Sequence, residues 1–547
     1  MSVDYLSALN SKGSGLNITQ IVDSLVQAET APQKELLQDK IDTRSTAISA
    51  LATLSSELSS LKTNISAFRG ISKYSASSAS ASNTISVSNT STAAPFTSDV
   101  QVTALATSQT LEFSGYTSAT QELATGSISV DFGSWSEDGT TFSRDTSVAA
   151  VSATISDENK TLAGIASSLN ALSGVTASIV KKAEDSYSLL VRSETGSENA
   201  LRLTVTPTDS GSTITALDTT SDNDDHQTVA ASDATLNVDG ISISRETNTI
   251  SDLFDGYTFN LTATTSSTFR VSSSLDTDTA YTQMQAFIDS LNATRNTLND
   301  LTKTGSATSD AGPLSNDPVA EAVVKKLRTI TNGALPGFGT SSLYLSNLGV
   351  RTNLDGTLSL TQSAFETSLE ADPTTFDAIF NSTATSDNEF LSVSKSATAD
   401  IEAGTYAWTF DSDTGVATLA STTLSSSTDD DGNTLYSPLS GDLLGVSVTP
   451  NQTVTSANIF IGKSLIDTLS DYIDETIVSA GDLSNRTTQI NTEVDELNID
   501  QTRLDERMED IRTRYTKQFS AMEALVTSMN NTGEFLTNMM DAFNKDT

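Results

Sequence analysis

Cysteine is absent from this 547-residue chain, histidine occurs once and tryptophan twice. Without thiols there are no disulfides, no thiolate metal sites and no cysteine nucleophiles. A thiol-free chain also suits an oxidising exterior. A lone histidine, His226 in the acidic loop SDNDDHQ, cannot build a multi-histidine zinc site or a histidine-relayed pair. Its expected place is a solvated surface. No apolar run approaches the ~20 residues that cross a bilayer. Residues 1–20 hold one lysine and no continuous apolar stretch, so no cleaved secretory signal is expected. Either the protein stays in the cytosol, or it leaves by a route that removes no signal. Bases are scarce as well: 30 Lys and Arg against 69 Asp and Glu give a formal charge of −39. That surface repels phosphate backbones and anionic lipid, which argues against nucleic-acid and membrane roles.

No constellation for catalysis or cofactor binding emerges, and no cofactor is expected. The acidic turn Asp429–Asn433 has alternating oxygen ligands, but Gly432 falls between them and no Glu stands in the twelfth place of a calcium loop. The acidic run 218–225 lacks a glycine, and both read as solvated turns. Neither G-x-x-x-x-G-K-[ST] nor G-x-G-x-x-G occurs. Paired carboxylates could serve a hydrolase, but 69 acids generate such pairs by chance. The chain is read as a non-enzyme.

Periodicity is the strongest signal present. Near the C-terminus Ile490, Val494, Leu497, Leu504, Met508, Ile511, Tyr515, Met522, Leu525 and Met529 fall on steps of three and four, with Gln501 and Gln518 interrupting. Leu51, Leu54, Leu58, Leu61, Ile65 and Phe68 keep the same rhythm near the N-terminus. Each set shares one helix face and must be covered. The two can cover each other as an antiparallel coiled coil, or join an ordinary helical bundle. A first helix should start after Gly15, capped by Asn17 or Thr19. Pro32 should break or kink it and open a second helix ending near Phe68.

Between these ends the pattern turns strand-like at 84–88, 99–103, 127–131, 175–180 and 187–192, with a helical island at 161–172. The run 207–227 reads as a loop, and 236–265 as three strands around turns at Asp239–Gly240 and Asp255–Gly256. Helices return at 282–301 and 318–331. Strands follow over 390–460, and the last helices are expected at 463–479 and 484–530.

Three stretches carry a family resemblance: GLNITQIVDSLVQAETAPQKELLQDKI (15–41), GDLSNRTTQI (481–490) and RYTKQFSAMEALVTSMNNTGEFLTNMM (514–540). They resemble the bacterial flagellar filament cap family, also called hook-associated protein 2. Segments 161–205, 236–265 and 346–380 are similar to it more loosely, and 396–462 departs from its pattern. The resemblance implies an α+β multidomain fold: long terminal helices form an antiparallel coiled-coil stem, and inserted β-rich domains form a head. It divides the chain into a flexible terminal leg (1–45 and 520–547), a helical stem (46–80, 276–395 and 463–519), a β-rich head domain (81–115 and 228–275), an outer head domain (116–227) and a strand-rich acidic insertion (396–462).

It further implies a structural cap at the distal end of the filament that retains exported flagellin and promotes its folding there. The implied partners are further copies of itself in a ring of five, flagellin, and an export chaperone before secretion. The implied location is extracellular, reached through the flagellar type III apparatus without a cleaved signal. The leg contacts to flagellin or neighbouring subunits are assigned to Ile18, Ile21, Leu25, Val26, Phe519, Leu525, Met529 and Leu536. Competing readings are a surface adhesin for host mucin or glycan, and a different axial protein of the flagellum.

Overall fold

A computed structural model describes residues 14–545 except Ser91, Glu137, Ser210, Gly211, 221–224, Ala397, Asp430 and Asp431. Among the described residues, α-helices fall at Ile18–Ser66 (α1), Leu162–Asn170 (α2), Thr277–Thr302 (α3), Pro318–Asn332 (α4), Gln362–Ala371 (α5), Thr374–Phe380 (α6), Leu465–Ile477 (α7) and Asp482–Lys545 (α8). The chain forms two compact units. One comprises Met1–Arg69, Gln283–Phe365 and Ala378–Thr547, the other Gly70–Thr282 and Glu366–Asp377.

In the first unit α1 starts at the expected cap, where the Asn17 side chain accepts from the Gln20 amide at 3.2 Å. It does not break at Pro32. One helix of 49 residues runs through that position, although proline removes a backbone donor and costs about 3 kcal/mol in a helix interior. The reason is tertiary. Ile18, Val22 and Val26 before the proline, and Leu51, Leu54, Leu58, Leu61 and Ile65 after it, are all buried on one helix. A break would misalign the two halves of that stripe.

The partner is α8, antiparallel to α1. Arg44 pairs with Glu493 at 2.8 Å, Lys34 with Asp505 at 3.6 Å, and Asp23 with Arg512 at 2.8 Å. This helix continues past 530 to Lys545. Gly533 costs only about 1 kcal/mol there, too little to end the helix. The turn between α7 and α8 needs Gly481, where a Cβ would meet the Glu475 carbonyl at 2.5 Å. Near the end of α1, Phe68, Phe287 and Phe380 form an aromatic cluster with centroid separations of 5.6–6.3 Å.

The same unit holds a two-sheet β module. Strands Thr383–Ser386, Ser456–Gly462, Gly404–Asp411, Val416–Leu419 and Thr422–Thr423 make one antiparallel sheet. Leu391–Lys395, Val446–Pro450, Thr434–Ser437 and Ser425–Thr428 make the other. Their apolar faces enclose Trp408, whose indole N–H donates to the Val454 carbonyl at 2.9 Å. The acidic turn reduces to Asn433 donating from its amide to the Asp429 carboxylate at 2.7 Å. Asp430 and Asp431 lie outside the described residues.

The second unit has two β cores. The first joins a five-stranded antiparallel sheet (Tyr74–Ser78, Phe269–Leu275, Phe96–Ala104, Ala234–Val238, Ile241–Arg245) to a three-stranded one (Thr249–Ile250, Tyr257–Asn260, Thr84–Val87). Four strands thus occupy 234–260 where three were expected, because Thr249–Ile250 adds a short edge pairing to Tyr257–Asn260. The second core encloses α2 between two four-stranded sheets, with Phe113, Ile128, Ile165, Leu189 and Leu203 at its centre. The 207–227 run is not all loop: Thr213–Leu217 forms a 3₁₀ helix that buries Ile214 and Leu217 completely. Those two positions share a face at a spacing of three. His226 is half-buried rather than solvated, its ring 4.7 Å from that of Phe113. Asp222 and Asp224 beside it lie outside the described residues.

Candidate interaction surface on the terminal helices

Within the α1–α8 pair, Ile18, Val22 and Val26 pack against Ile511, with Met508, Tyr515 and Phe519 at the margin. Charged and polar residues flank this seam. The Tyr515 hydroxyl donates to Glu29 at 3.1 Å, and Gln501 reaches Gln38 at 3.4 Å, so one of the two interrupting glutamines is paired across the helices. Such exposed pairs contribute only about 0–1 kcal/mol each and serve to set register. Apolar burial holds the pair together.

Glu523 stands apart. It is a carboxylate on α8 with no solvent exposure, and both of its oxygens accept from the Ser14 amide, at 2.8 and 3.1 Å. The Ser14 hydroxyl donates to the same group. A backbone amide and a hydroxyl thus replace the water this carboxylate gives up. The contact joins the start of the described chain to the distal part of α8. Sequence reasoning missed it; the available signal was an acid one turn past Phe519 on the apolar face.

Beyond Glu523 the character of α8 changes. Glu534 is the only charged residue between 524 and 540, and Leu525, Met529, Phe535, Leu536 and Met540 are each 50–66% exposed. Leu525, Met529, Leu536 and Met540 follow steps of four, seven and four, so they form one stripe on one face. An apolar stripe of this length open to water is the candidate interaction surface.

The eight candidate contact residues fall into three groups. Ile18 and Val26 are buried in the intramolecular seam. Ile21 and Phe519 are half-buried beside it. Leu25, Leu525, Met529 and Leu536 are exposed. Phe535, Met539 and Met540 are exposed too and were not among the candidates. Among the described residues no group of three or more His, Asp or Glu side chains converges as a metal site. No helix there is long and apolar enough to cross a membrane.

Comparison with known proteins bears on this arrangement. The family model for the flagellar hook-associated protein 2 N-terminus matches residues 14–109, and that for its C-terminus matches 231–531. An A-type flagellar hook-associated protein 2 of Pseudomonas aeruginosa is 26% identical over 378 residues, covering 65% of this chain and 76% of the relative. The flagellar hook-associated protein 2 of Escherichia coli K12 is 28% identical over 374 residues, covering 66% and 77%. In fold, the D1-D2-D3 domains of the flagellar cap protein FliD from Escherichia coli align with a TM-score of 0.52 at 20% identity. That alignment covers 81% of this chain and 99% of the other.

Proposed function

Because this chain belongs to the flagellar hook-associated protein 2 family, the filament cap family, we propose that the exposed stripe on distal α8 is how it holds the growing tip. The chain acts at the filament tip as a subunit of an oligomeric cap that contacts flagellin. Its role is structural, without catalysis. The single observation behind the stripe assignment is the run of exposed apolar residues beyond Glu523, with one charge in seventeen positions.

The physical logic is that of a contact that must be released repeatedly. A cap has to stay on the tip yet give up a position each time a flagellin arrives. Separate Leu and Met side chains on one stripe each contribute at most about 1.5–3 kcal/mol on full burial. Such contacts can be exchanged one at a time for equivalent ones on the next subunit, without release of the whole leg. Leu25, Leu525, Met529 and Leu536 make these contacts first. Ile18, Ile21, Val26 and Phe519 join them where the seam opens against a neighbour. The ring has five copies. The chain reaches the tip through the flagellar type III apparatus, accompanied beforehand by an export chaperone, and needs no cleaved signal.

The test is flagellin partitioning in a strain lacking this gene. Loss of attached filaments, with flagellin shed into the medium and filaments restored by complementation, supports the cap role. Normal filaments in the deletion strain refute it.

A further inference from the structure

One stretch of this acidic chain carries bases without acids. Residues 322–354 contain Lys325, Lys326, Arg328 and Arg351 and not a single Asp or Glu. All four cations are exposed, and among the described residues none lies in an ion pair. The fold gathers part of this charge around one turn. Strands Val350–Thr352 and Leu358–Leu360 form a hairpin, and the turn between them carries Leu354, fully open to solvent. Arg351 lies on the hairpin itself. The Arg328 guanidinium covers Gly356 in that turn so closely that a Cβ there would meet its Nη2 at 2.8 Å. Beneath it Arg295, buried, donates to the Gly356 carbonyl and to the Thr331 hydroxyl. Burial, and then the like charge of Arg328, lower the Arg295 pKa to about 10. The one acid of the turn, Asp355, accepts from the Thr357 amide at 2.9 Å and hydroxyl at 2.6 Å, so it faces its own loop.

This is an apolar tip with two cations at its turn that lie in no ion pair among the described residues, Arg328 and Arg351, and its complement is an acidic surface with an apolar centre. The chain carries one on α8. Between Glu493 and Asp500 there are four acids and no base. Asp495 and Glu496 are exposed and in no ion pair among the described residues, and Ile499 beside them is half exposed. Residues 495, 496, 499 and 500 are neighbours on one helix face.

We propose that the Leu354 turn, with Arg328 and Arg351, docks on the Asp495–Asp500 face of α8 in a second copy of this chain. The inference rests on the self-assembly in the reading above and names the surface that performs it. The two patches differ, so the contact is head to tail, the type that closes into rings. Charge complementarity steers the encounter and makes it salt-dependent, while Leu354 against Ile499 supplies the apolar centre.

The absence of cysteine makes the test specific. Leu354→Cys and Ile499→Cys are placed in separately tagged full-length chains, mixed, and treated with a short bis-maleimide linker. Expected is a crosslinked pair at least tenfold above a control pairing Leu354→Cys with the exposed Val148→Cys. The yield should fall with added salt and with Arg328→Glu/Arg351→Glu, and recover when the partner carries Asp495→Lys/Glu496→Lys. A yield no higher than the control, or one indifferent to charge reversal, overturns the docking surface. If sedimentation shows that the unmodified chains still assemble, the failure is confined to this surface. If they stay monomeric at every concentration, the self-assembly beneath it fails as well.

Discussion

Arg486 donates through Nε to the Asp317 carboxylate at 2.8 Å, and the same carboxylate caps α4 by accepting from the Val319 and Ala320 amides at 3.1 Å each. One buried acid thus ties the start of α8 to the start of α4. Both side chains are at most 15% exposed. Removing one partner leaves the other charged and buried, which costs about 3–5 kcal/mol. Arg486→Ala should therefore lower the denaturation midpoint of the helical unit strongly. Asp317→Ala should do at least as much, since it also removes a helix cap worth about 1 kcal/mol. Thermal melts followed by circular dichroism at 222 nm check both.

Leu525→Asp with Met529→Asp should abolish capping and leave the fold intact. Both residues are more than 60% exposed, and such substitutions change stability by about 0.5 kcal/mol or less. Electron microscopy should find cells without filaments while the purified double variant melts like the parent. Normal filaments from it would remove distal α8 as the leg contact.

Acid should weaken the helical unit through Asp467. Burial alone would push this carboxyl up, but hydrogen bonds from Ser382, the charge and hydrogen bond of Arg69 and a bond from Ser464 outweigh it and hold the group below its ordinary 3.8. A carboxylate with a depressed folded pKa stabilises above its unfolded value, and that contribution disappears as the pH falls through the folded one. The loss is expected below about pH 4. Urea titrations of Asp467→Asn should show lower stability at pH 7 and a flatter dependence below pH 4. An unchanged acid limb would assign the acid sensitivity elsewhere.

Replacing Pro32 with alanine should strengthen α1 locally. The substitution returns a backbone donor at an exposed position inside a helix and is worth up to about 3 kcal/mol, less what the freer unfolded chain regains. Amide hydrogen exchange should slow around residue 32. Faster exchange there would mean that the proline sets a bend on which the seam depends.

What could be read in advance follows the range of the interactions. The long helices announce themselves because their apolar spacing is local, and Asn17 and Thr161 serve as side-chain caps as their residue types suggest. The outcome at Pro32 was hidden because the covering helix lies more than 450 positions away. Ile214 and Leu217 were hidden for a like reason: two apolar residues in a polar run carry no period until a core is present to receive them. In the candidate surface, the apolar character of Leu525, Met529 and Leu536 is plain in the sequence. That Ile18 and Val26 spend theirs inside the molecule is not, because that depends on register with Ile511. Glu523 shows the limit most clearly: its place on the apolar face is legible, but its partner Ser14, 509 positions away, is not.

That clasp spans 509 positions of sequence, whereas the hairpins of the β cores close over a few residues. Loop-closure entropy and contact order therefore separate the molecule into early and late parts. The β cores can form as soon as their own strands are free. The α1–α8 pair must wait until both of its helices are out, whichever emerges first. Completion of the long helical pair is thus a late event, and the β cores can be in place before the apolar stripe of distal α8 is set on its final support.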